Sequence, residues 1–331
     1  MAFDVFGFGN VLVDILIQID DSHIAELDLK KGNFHLAGPG KIRGLLEHFD
    51  HQEKKIVPAG SSANTIFALS SLGSDVVLCG KIGEDPHGKM YEDIVLENRI
   101  RSRIKRSDVK GTGTVINLVT PDGERTFVVD LGASVTLNRD ELHDVLDDLT
   151  DSKFMHTEAY VIENPLLRES ALHLMDEAKK NGVRISLDLS DPGVIERNLE
   201  DLKKIVKDYA DIVFFNEDEA KIFTGLGPEE ALREISKLCG IAVVKLGASG
   251  SLIKPKDSDD IIRIDALKAN AVDTTGAGDF YAAGFLYGLS RKKDIKTCGT
   301  IGSIIAGKVV EQFGARPPEN LRYIPELKGL L

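Results

Sequence analysis

Short apolar runs alternate with amphipathic segments in the second half of the chain. Four apolar runs have the length of buried parallel strands and lie at Phe154–His156, Arg184–Leu187, Ile212–Phe215 and Ala242–Leu246. Three amphipathic segments between these runs are predicted to be helices, at about residues 165–181, 197–208 and 228–238. Strands that alternate with helices in this way predict an α/β fold with a doubly wound, mostly parallel sheet.

The first half of the chain has a pattern that is typical of half-buried strands. Val13, Ile15, Ile17 and Ile19 are apolar, and most of the positions between them are polar. Two further β-like runs, at 115–119 and 126–131, are joined by a Thr-Pro-Asp-Gly-Glu sequence, which predicts a hairpin. These β-rich segments interrupt the alternation of strands and helices, so they predict a small second sheet.

Composition narrows the classes of function. The chain of 331 residues has a formal net charge of −12, from 41 basic and 53 acidic residues. This acidic balance argues against nucleic acid or an anionic membrane as a partner. The three cysteines lie in apolar runs without paired spacing, which favours buried thiols in a reducing compartment. With no apolar stretch long enough for a membrane span, the sequence predicts a cytoplasmic protein.

The strongest candidate for chemistry is the run from Asp273 to Asp279, Asp-Thr-Thr-Gly-Ala-Gly-Asp, which a helical segment follows. The backbone N–H groups of Gly276, Ala277 and Gly278 converge at a helix N-terminus and form an anion hole for a phosphate. Bound phosphates would repel Asp279 unless that carboxylate accepted a proton there. Asp279 is therefore the candidate general base in phosphoryl transfer to an alcohol. A structural turn with an aspartate helix cap is the alternative.

The same run resembles a signature of the ribokinase family, the PfkB-type carbohydrate and nucleoside kinases. Residues Ala59–Thr65 and Gly80–Gly88 are similar to the second signature of that family. The resemblance covers nearly the whole chain and implies a single ribokinase-like kinase domain over residues 1–331. It also implies that strands within about residues 11–37 and 113–131 form a β-sheet lid over the substrate.

The resemblance further implies a substrate site made by Asn10, Asp14, Gly60, Asn64 and Glu158. The Asn-x3-Asp spacing of the first two is closer to the adenosine kinase branch than to the ribose kinase branch, where the spacing is Asn-x-Asp. A carboxylate can accept hydrogen bonds from two adjacent hydroxyl groups, which suits a ribose. The alternative for Asp14 is a solvent-facing residue on an edge strand.

For ATP, the resemblance implies binding by Asn216, Glu219, Gly247 and Gly250. The first two would organise the water shell of a Mg²⁺ ion beside the phosphates, since Mg²⁺ commonly keeps several of its waters. Lys245 departs from the family, which usually carries threonine there. The alternatives are a helix-capping run for Asn216 and Glu219 and a simple β-turn for the two glycines.

A monovalent cation, potassium in many relatives, would bind at Asp273 and Thr275 near the loop of Gly314 and Ala315. Carboxylate and carbonyl oxygens are suitable ligands for such a hard ion. The alternative is that this loop has a structural role only.

The sequence thus predicts an ATP-dependent phosphotransferase that acts on a hydroxymethyl group of a nucleoside or a sugar. The N-terminal spacing favours adenosine, and a sugar kinase for ribose, fructose or a related carbohydrate is the first alternative. A non-catalytic nucleotide- or sugar-binding protein is an alternative from another class. The chain lacks a P-loop motif and the third glycine of a dinucleotide fingerprint, which excludes those two sites. Both a monomer and a homodimer are compatible with the sequence.

Overall fold

The computed structural model describes residues 1–318 and 321–331. Its strands are β1 (Phe3–Phe8), β2 (Leu12–Gln18), β3 (Phe34–Leu36), β4 (Lys54–Ala59), β5 (Val76–Gly83), β6 (Arg101–Ser107), β7 (Gly113–Val119), β8 (Arg125–Asp130), β9 (Ser152–Glu158), β10 (Arg184–Asp188), β11 (Ile212–Asn216), β12 (Ile241–Lys245), β13 (Ser251–Pro255) and β14 (Ile262–Ile264). Its helices are α1 (Asp21–Glu26), α2 (Pro39–His48), α3 (Ser61–Ser71), α4 (Pro86–Glu97), α5 (Leu146–Thr150), α6 (Pro165–Lys180), α7 (Pro192–Tyr209), α8 (Glu217–Thr224), α9 (Pro228–Ile235), α10 (Ala277–Ser290) and α11 (Ile295–Val309).

The main sheet has nine strands in the order β14-β13-β12-β11-β10-β9-β1-β5-β6. Each pair of neighbouring strands from β12 to β6 in this order is parallel. Strand β13 runs antiparallel to both of its neighbours, β12 and β14. Two separate apolar cores cover the two faces, one against α3, α10 and α11 and the other against α6 to α9. The predicted α/β fold with a doubly wound, mostly parallel sheet is confirmed.

Helix α7 begins earlier than the predicted segment at about residue 197. Asp191 caps it, since its side chain accepts a hydrogen bond from the N–H of Val194 at 2.8 Å, and Pro192 occupies the first turn. The backbone leaves the helical conformation at Asn198, so the apolar periodicity is clear only beyond that kink. The local start signal, rather than the periodicity, therefore sets the helix boundary.

A second sheet of five strands has the order β3-β8-β7-β2-β4. Strand β2 lies between β7 and β4, so the alternative that Asp14 occupies an edge strand is wrong. Val13 and Ile15 face the core that contains Leu45 of α2, while Leu12 and Asp14 point to the opposite face. We call that opposite face the inner face, because Arg125 of β8 reaches from it to the Asp273–Asp279 run.

Strand β4 of the small sheet was not among the predicted segments. Its sequence, Lys-Lys-Ile-Val-Pro-Ala, carries two lysines and a proline, which obscure the strand pattern.

Three parallel strands, β10, β11 and β12, end at the same edge of the main sheet. Helix α10 begins at that edge too. Gly276 to Asp279, at its start, line one cavity together with Asp188, Asn216 and Lys245 from the ends of the strands. Ligands bind at the carboxyl ends of strands in open α/β sheets, so this edge is the place for a site.

Within residues 1–318 and 321–331, no helix is long and apolar enough to cross a membrane.

Candidate active site

The start of α10 forms a cradle of backbone N–H groups. Gly276 precedes the helix with φ at +80°, in the left-handed region, and a Cβ at this position would lie 2.4 Å from Cβ of Ala315. Ala277 and Gly278 follow in the first helical turn, where N–H groups have no partner within the helix. All three predicted anion-hole residues line a cavity of about 350 Å³. The arrangement suits a phosphate group.

Asp279 lies in the same helical turn and on the wall of the same cavity. Ser61 donates a hydrogen bond to its Oδ1 at 2.7 Å, and Nδ2 of Asn64 donates to its Oδ2 at 2.9 Å. Burial raises the pKa of Asp279 to about 7. The hydrogen bonds from Ser61 and Asn64 favour the carboxylate and act in the opposite direction, but burial outweighs them. A carboxylate with a pKa near neutrality is suited to accept a proton from a hydroxyl group.

Lys245 lies directly beside the predicted anion hole. A Cβ added to Gly278 would be 2.8 Å from Nζ of Lys245, and the same Nζ lies 2.8 Å from Oδ2 of Asp188. Burial disfavours the ammonium charge, but Asp188 and Glu219 outweigh it and raise the pKa of Lys245. The cavity therefore holds a fixed cation, Lys245, at the place where phosphates would bind.

Sequence reasoning missed two of these residues, Asp188 and Ser61, and gave no role to Lys245. The signal for Asp188 was available, because it directly follows a predicted buried strand, as Asn216 follows another. Polar residues at the ends of adjacent parallel strands meet at one sheet edge.

Asn216 and Glu219 form a complete capping box at the start of α8. The N–H of Glu219 donates to Oδ1 of Asn216 at 2.8 Å, and the N–H of Asn216 donates to Oε2 of Glu219 at 2.7 Å. Nδ2 of Asn216 donates to the second carboxylate oxygen at 2.6 Å. Burial and the neighbouring Asp188 raise the pKa of Glu219. Since each carboxylate oxygen retains a lone pair, the pair fits a Mg²⁺ ion that is held through its waters.

A second cavity, of about 510 Å³, adjoins the first across Lys245, Gly247, Ala277 and Gly278. Its walls are mainly apolar and are formed by Ala248, Ala266, Leu267, Ala269, Ala271, Ala306 and Val310. Gly250 also lines it, with φ at +89° and no room for a side chain, because a Cβ would lie 1.9 Å from the carbonyl oxygen of Ile264. An apolar slot that opens onto an anion hole has the shape and chemistry for a nucleotide.

Three of the predicted substrate residues, Asn10, Gly60 and Glu158, lie close together, and Asn10 contacts both of the others. The Glu158 carboxylate, 1% exposed, accepts the N–H of Asn10 at 3.0 Å, its Nδ2 at 3.2 Å and the N–H of Ser62 at 2.5 Å. Oδ1 of Asn10 accepts a hydrogen bond from Ser134 at 2.9 Å. A Cβ at Gly60 would lie 2.0 Å from the Asn10 carbonyl oxygen. This group holds the chain after β1 against the start of α3.

We expect replacement of Glu158 by alanine to lower the free energy of unfolding by roughly 3 kcal/mol, because it leaves buried N–H donors without an acceptor. Urea unfolding measures the change, and Glu97→Ala at the exposed end of α4 is the matched control. If the variant binds the substrate more weakly but keeps its stability, this positioning role would be contradicted and direct binding of the substrate by Glu158 favoured.

Asn64 and Asp14 are the predicted substrate residues with capacity left for a ligand. Oδ1 of Asn64 is buried, and no group among the described residues hydrogen-bonds to it. Burial raises the pKa of Asp14 to about 7, although Arg316 and Arg125 oppose this by their charge. A buried polar atom without a partner, such as Oδ1 of Asn64, is uncommon in proteins, and this one lies where a hydroxylated ligand is expected.

The predicted cation residues contact a side chain instead. Arg125 of the small sheet lies 2.5 Å from Oδ2 of Asp273 and donates a hydrogen bond to Oγ1 of Thr275 at 3.1 Å. The side-chain oxygens of Asp273 and Thr275 already face a guanidinium, whose charge would repel a second cation, so these side chains do not fit such an ion.

Comparisons with known proteins identify relatives of this chain. A model of the pfkB family carbohydrate kinases matches residues 47–321. The chain is 31% identical over 251 residues to an uncharacterised sugar kinase of Archaeoglobus fulgidus, which covers 75% of this chain and 96% of that protein. It is 26% identical over 355 aligned positions to the adenosine kinase of Saccharomyces cerevisiae, which covers 98% and 99% of the two chains.

Two solved structures share the whole fold. A probable sugar kinase of Rhizobium etli has a TM-score of 0.91 and 28% identity, and covers 100% of this chain and 99% of its own. The adenosine kinase of Sinorhizobium meliloti has a TM-score of 0.89 and 29% identity, and covers 97% and 98% of the two chains. The chain belongs to the PfkB family of carbohydrate kinases and is an ATP-dependent kinase that phosphorylates an alcohol group.

Proposed function

We propose that this kinase transfers the γ-phosphoryl group of ATP to a hydroxymethyl group of adenosine or a closely related nucleoside. The observation that carries the proposal is an apolar cluster on the inner face of the small sheet, next to Asp14. Its members are Leu12, Ala59, Val115 and Val129, with Phe127 and Leu131 packed against them. An apolar wall beside a carboxylate suits a ligand with a flat base and a ribose that carries two adjacent hydroxyl groups.

The hydroxyl groups of the ribose would bind Asp14 and the free Oδ1 of Asn64. Nδ2 of Asn64 already contacts Asp279 at 2.9 Å, so a ribose held there lies close to the base. The small sheet, with strands in 11–37 and 113–131 and β4, would act as the lid of a single domain over residues 1–331. Closure of the lid would exclude water and suppress hydrolysis of ATP.

ATP would bind with its base in the 510 Å³ cavity, between Gly247 and Gly250, and its phosphates towards the anion hole. Asp279 accepts the proton of the acceptor hydroxyl, and that oxygen forms a bond to the γ-phosphorus. The bond from this phosphorus to the bridging oxygen breaks, and ADP leaves. The N–H groups of Gly276, Ala277 and Gly278, with Lys245, would stabilise the charge on the transferred group. A Mg²⁺ ion, held through waters near Asn216 and Glu219, would supply further charge neutralisation when bound.

A sugar kinase is the second candidate, favoured by the 31% identity to the Archaeoglobus fulgidus sugar kinase and by the TM-score of 0.91 to the Rhizobium etli protein. A free sugar would use Asp14 and Asn64 in the same way and would leave the apolar cluster without a partner.

ADP formation from Mg-ATP tests the proposal against adenosine, other nucleosides, ribose and fructose. We expect adenosine to raise ADP release far above the rate without acceptor, and the sugars to have little effect. The substitution Val115→Ser, which places a hydroxyl group in the apolar wall, should raise the KM for adenosine. Faster turnover with a sugar, unaffected by Val115→Ser, would contradict the nucleoside proposal and favour the second candidate.

A further inference from the structure

Arg125 lies where a monovalent cation was expected. Its Nη2 is 2.5 Å from Oδ2 of Asp273, and its Nη1 donates to Oγ1 of Thr275 at 3.1 Å. The Asp273 carboxylate also accepts the N–H of Thr275 at 2.9 Å and the N–H of Gly314 at 2.7 Å. Both carboxylate oxygens therefore already accept a hydrogen bond from the chain, and Arg125 places a positive charge beside them.

This ion pair is buried on both sides. The side chains of Arg125 and Asp273 are 11% and 2% exposed. A guanidinium group stays charged at every physiological pH, so the negative charge of Asp273 is compensated permanently. A second cation at this carboxylate would be repelled by Arg125 in a medium of low dielectric constant.

The pair also connects three parts of the chain that shape the anion hole. Arg125 is the first residue of β8, and its guanidinium lies 5.9 Å from the centre of the Phe313 ring. The N–H of Asp273 donates to the carbonyl of Val310 at 3.1 Å, and Ala315 packs against Gly276. The hairpin of the small sheet, the C-terminal loop and the loop before α10 thus meet at one guanidinium.

We propose that Arg125 is a built-in substitute for the monovalent cation, so that this kinase works without potassium. Arg125 is a positioning residue in this account: it acts through Asp273 and Thr275 on the loop that carries the anion hole.

Thermal unfolding and kinase turnover in KCl, NaCl and tetramethylammonium chloride, at equal ionic strength, test the proposal. We expect the Tm and the kcat of the wild type to be equal in all three salts. Arg125→Ala removes the guanidinium and opens a space beside Asp273, so its Tm and kcat should fall. Potassium should then raise the kcat of this variant at least 10-fold, and its Tm by several degrees, whereas tetramethylammonium, which is too large, should not.

Three variants serve as controls. Arg263→Ala removes an exposed arginine that pairs with Glu229 and should leave both readouts unchanged in every salt. Arg125→Lys keeps a positive charge and should stay independent of potassium. The double variant Arg125→Ala/Asp273→Asn lacks the carboxylate and should lose the potassium response.

A wild-type kcat or Tm that is higher in KCl than in the other two salts would overturn the proposal. An Arg125→Ala variant whose kcat and Tm do not increase in KCl would also overturn it. If that variant does not fold, the wild type and Arg125→Lys still decide the question. The Tm requires no acceptor, so an error in the proposed substrate leaves this part of the test intact.

Discussion

Replacement of Asp279 by asparagine should lower kcat by about 10²- to 10⁴-fold, the usual contribution of a general base. The amide has the same shape and can still accept one hydrogen bond from Ser61, so the affinity for ADP should change little. Steady-state kinetics and calorimetric titration with ADP measure the two effects separately. Asp257→Asn, at an exposed position, is the matched control. A variant that turns over within a few-fold of the wild type would remove Asp279 from the chemistry and revive the helix-cap alternative.

The pH dependence of the wild type provides an independent test. Burial raises the pKa of Asp279 to about 7, so the carboxylate is protonated below that pH and unable to accept a proton. We expect log kcat/KM to fall with a slope of about one per pH unit below pH 7, since this parameter reports the free enzyme. A profile that stays flat down to pH 5 would contradict the assignment.

The same raised pKa predicts that Asp279 destabilises the folded protein at high pH. The folded state keeps its proton up to about pH 7, while an unfolded aspartate loses it near the ordinary aspartate pKa of 3.8. The unfolded state therefore binds fewer protons between these values, and the free energy of unfolding falls as the pH rises through this window. Asp279→Asn should be more stable than the wild type at pH 8 and lose this advantage at pH 4. A stability difference that does not depend on pH would indicate an ordinary pKa.

Local features of this site were predictable from the sequence. Gly276, Ala277, Gly278 and Asp279 are consecutive, and the geometry of an anion hole at a helix start depends only on the backbone of those few residues. The alternation of strands and helices likewise depends on periodicity within short windows, which is why the doubly wound sheet was predicted correctly.

Contacts between distant segments were not predictable in this way. Lys245 contacts Asp188 only because β12, β11 and β10 are neighbours in one parallel sheet. The sequences of β10 and β12 do not by themselves specify this strand order. Arg125 and Thr275 are 150 positions apart and meet because the small sheet folds back over the C-terminal loops. Glu158, which the family resemblance assigned to the substrate, has a carboxylate that joins two backbone segments. Such roles emerge from tertiary packing rather than from residue type.

Replacement of Lys245 by methionine should lower kcat/KM for ATP by about 10²- to 10³-fold, as loss of one preorganised charge on a reacting oxyanion does. The wild-type cavity holds three carboxyl groups, Asp188, Glu219 and Asp279, and Lys245 is the cation that lies among them. Without the ammonium, these carboxyl groups would face the phosphates of ATP without compensation. Lys81→Met is the matched control, because Lys81 pairs with Glu141 at 2.7 Å outside both cavities.

Lys245→Met should also be less stable than the wild type, since it leaves Asp188 buried without its partner, at a cost of about 3–5 kcal/mol. The double variant Lys245→Met/Asp188→Asn separates the two effects, because a neutral amide at position 188 no longer needs a cation. We expect urea unfolding to show stability largely restored in the double variant, while kcat/KM stays as low as in Lys245→Met. Recovery of activity together with stability would mean that Lys245 serves only to neutralise Asp188. A stable but inactive double variant would instead show that the ammonium acts on the phosphates themselves.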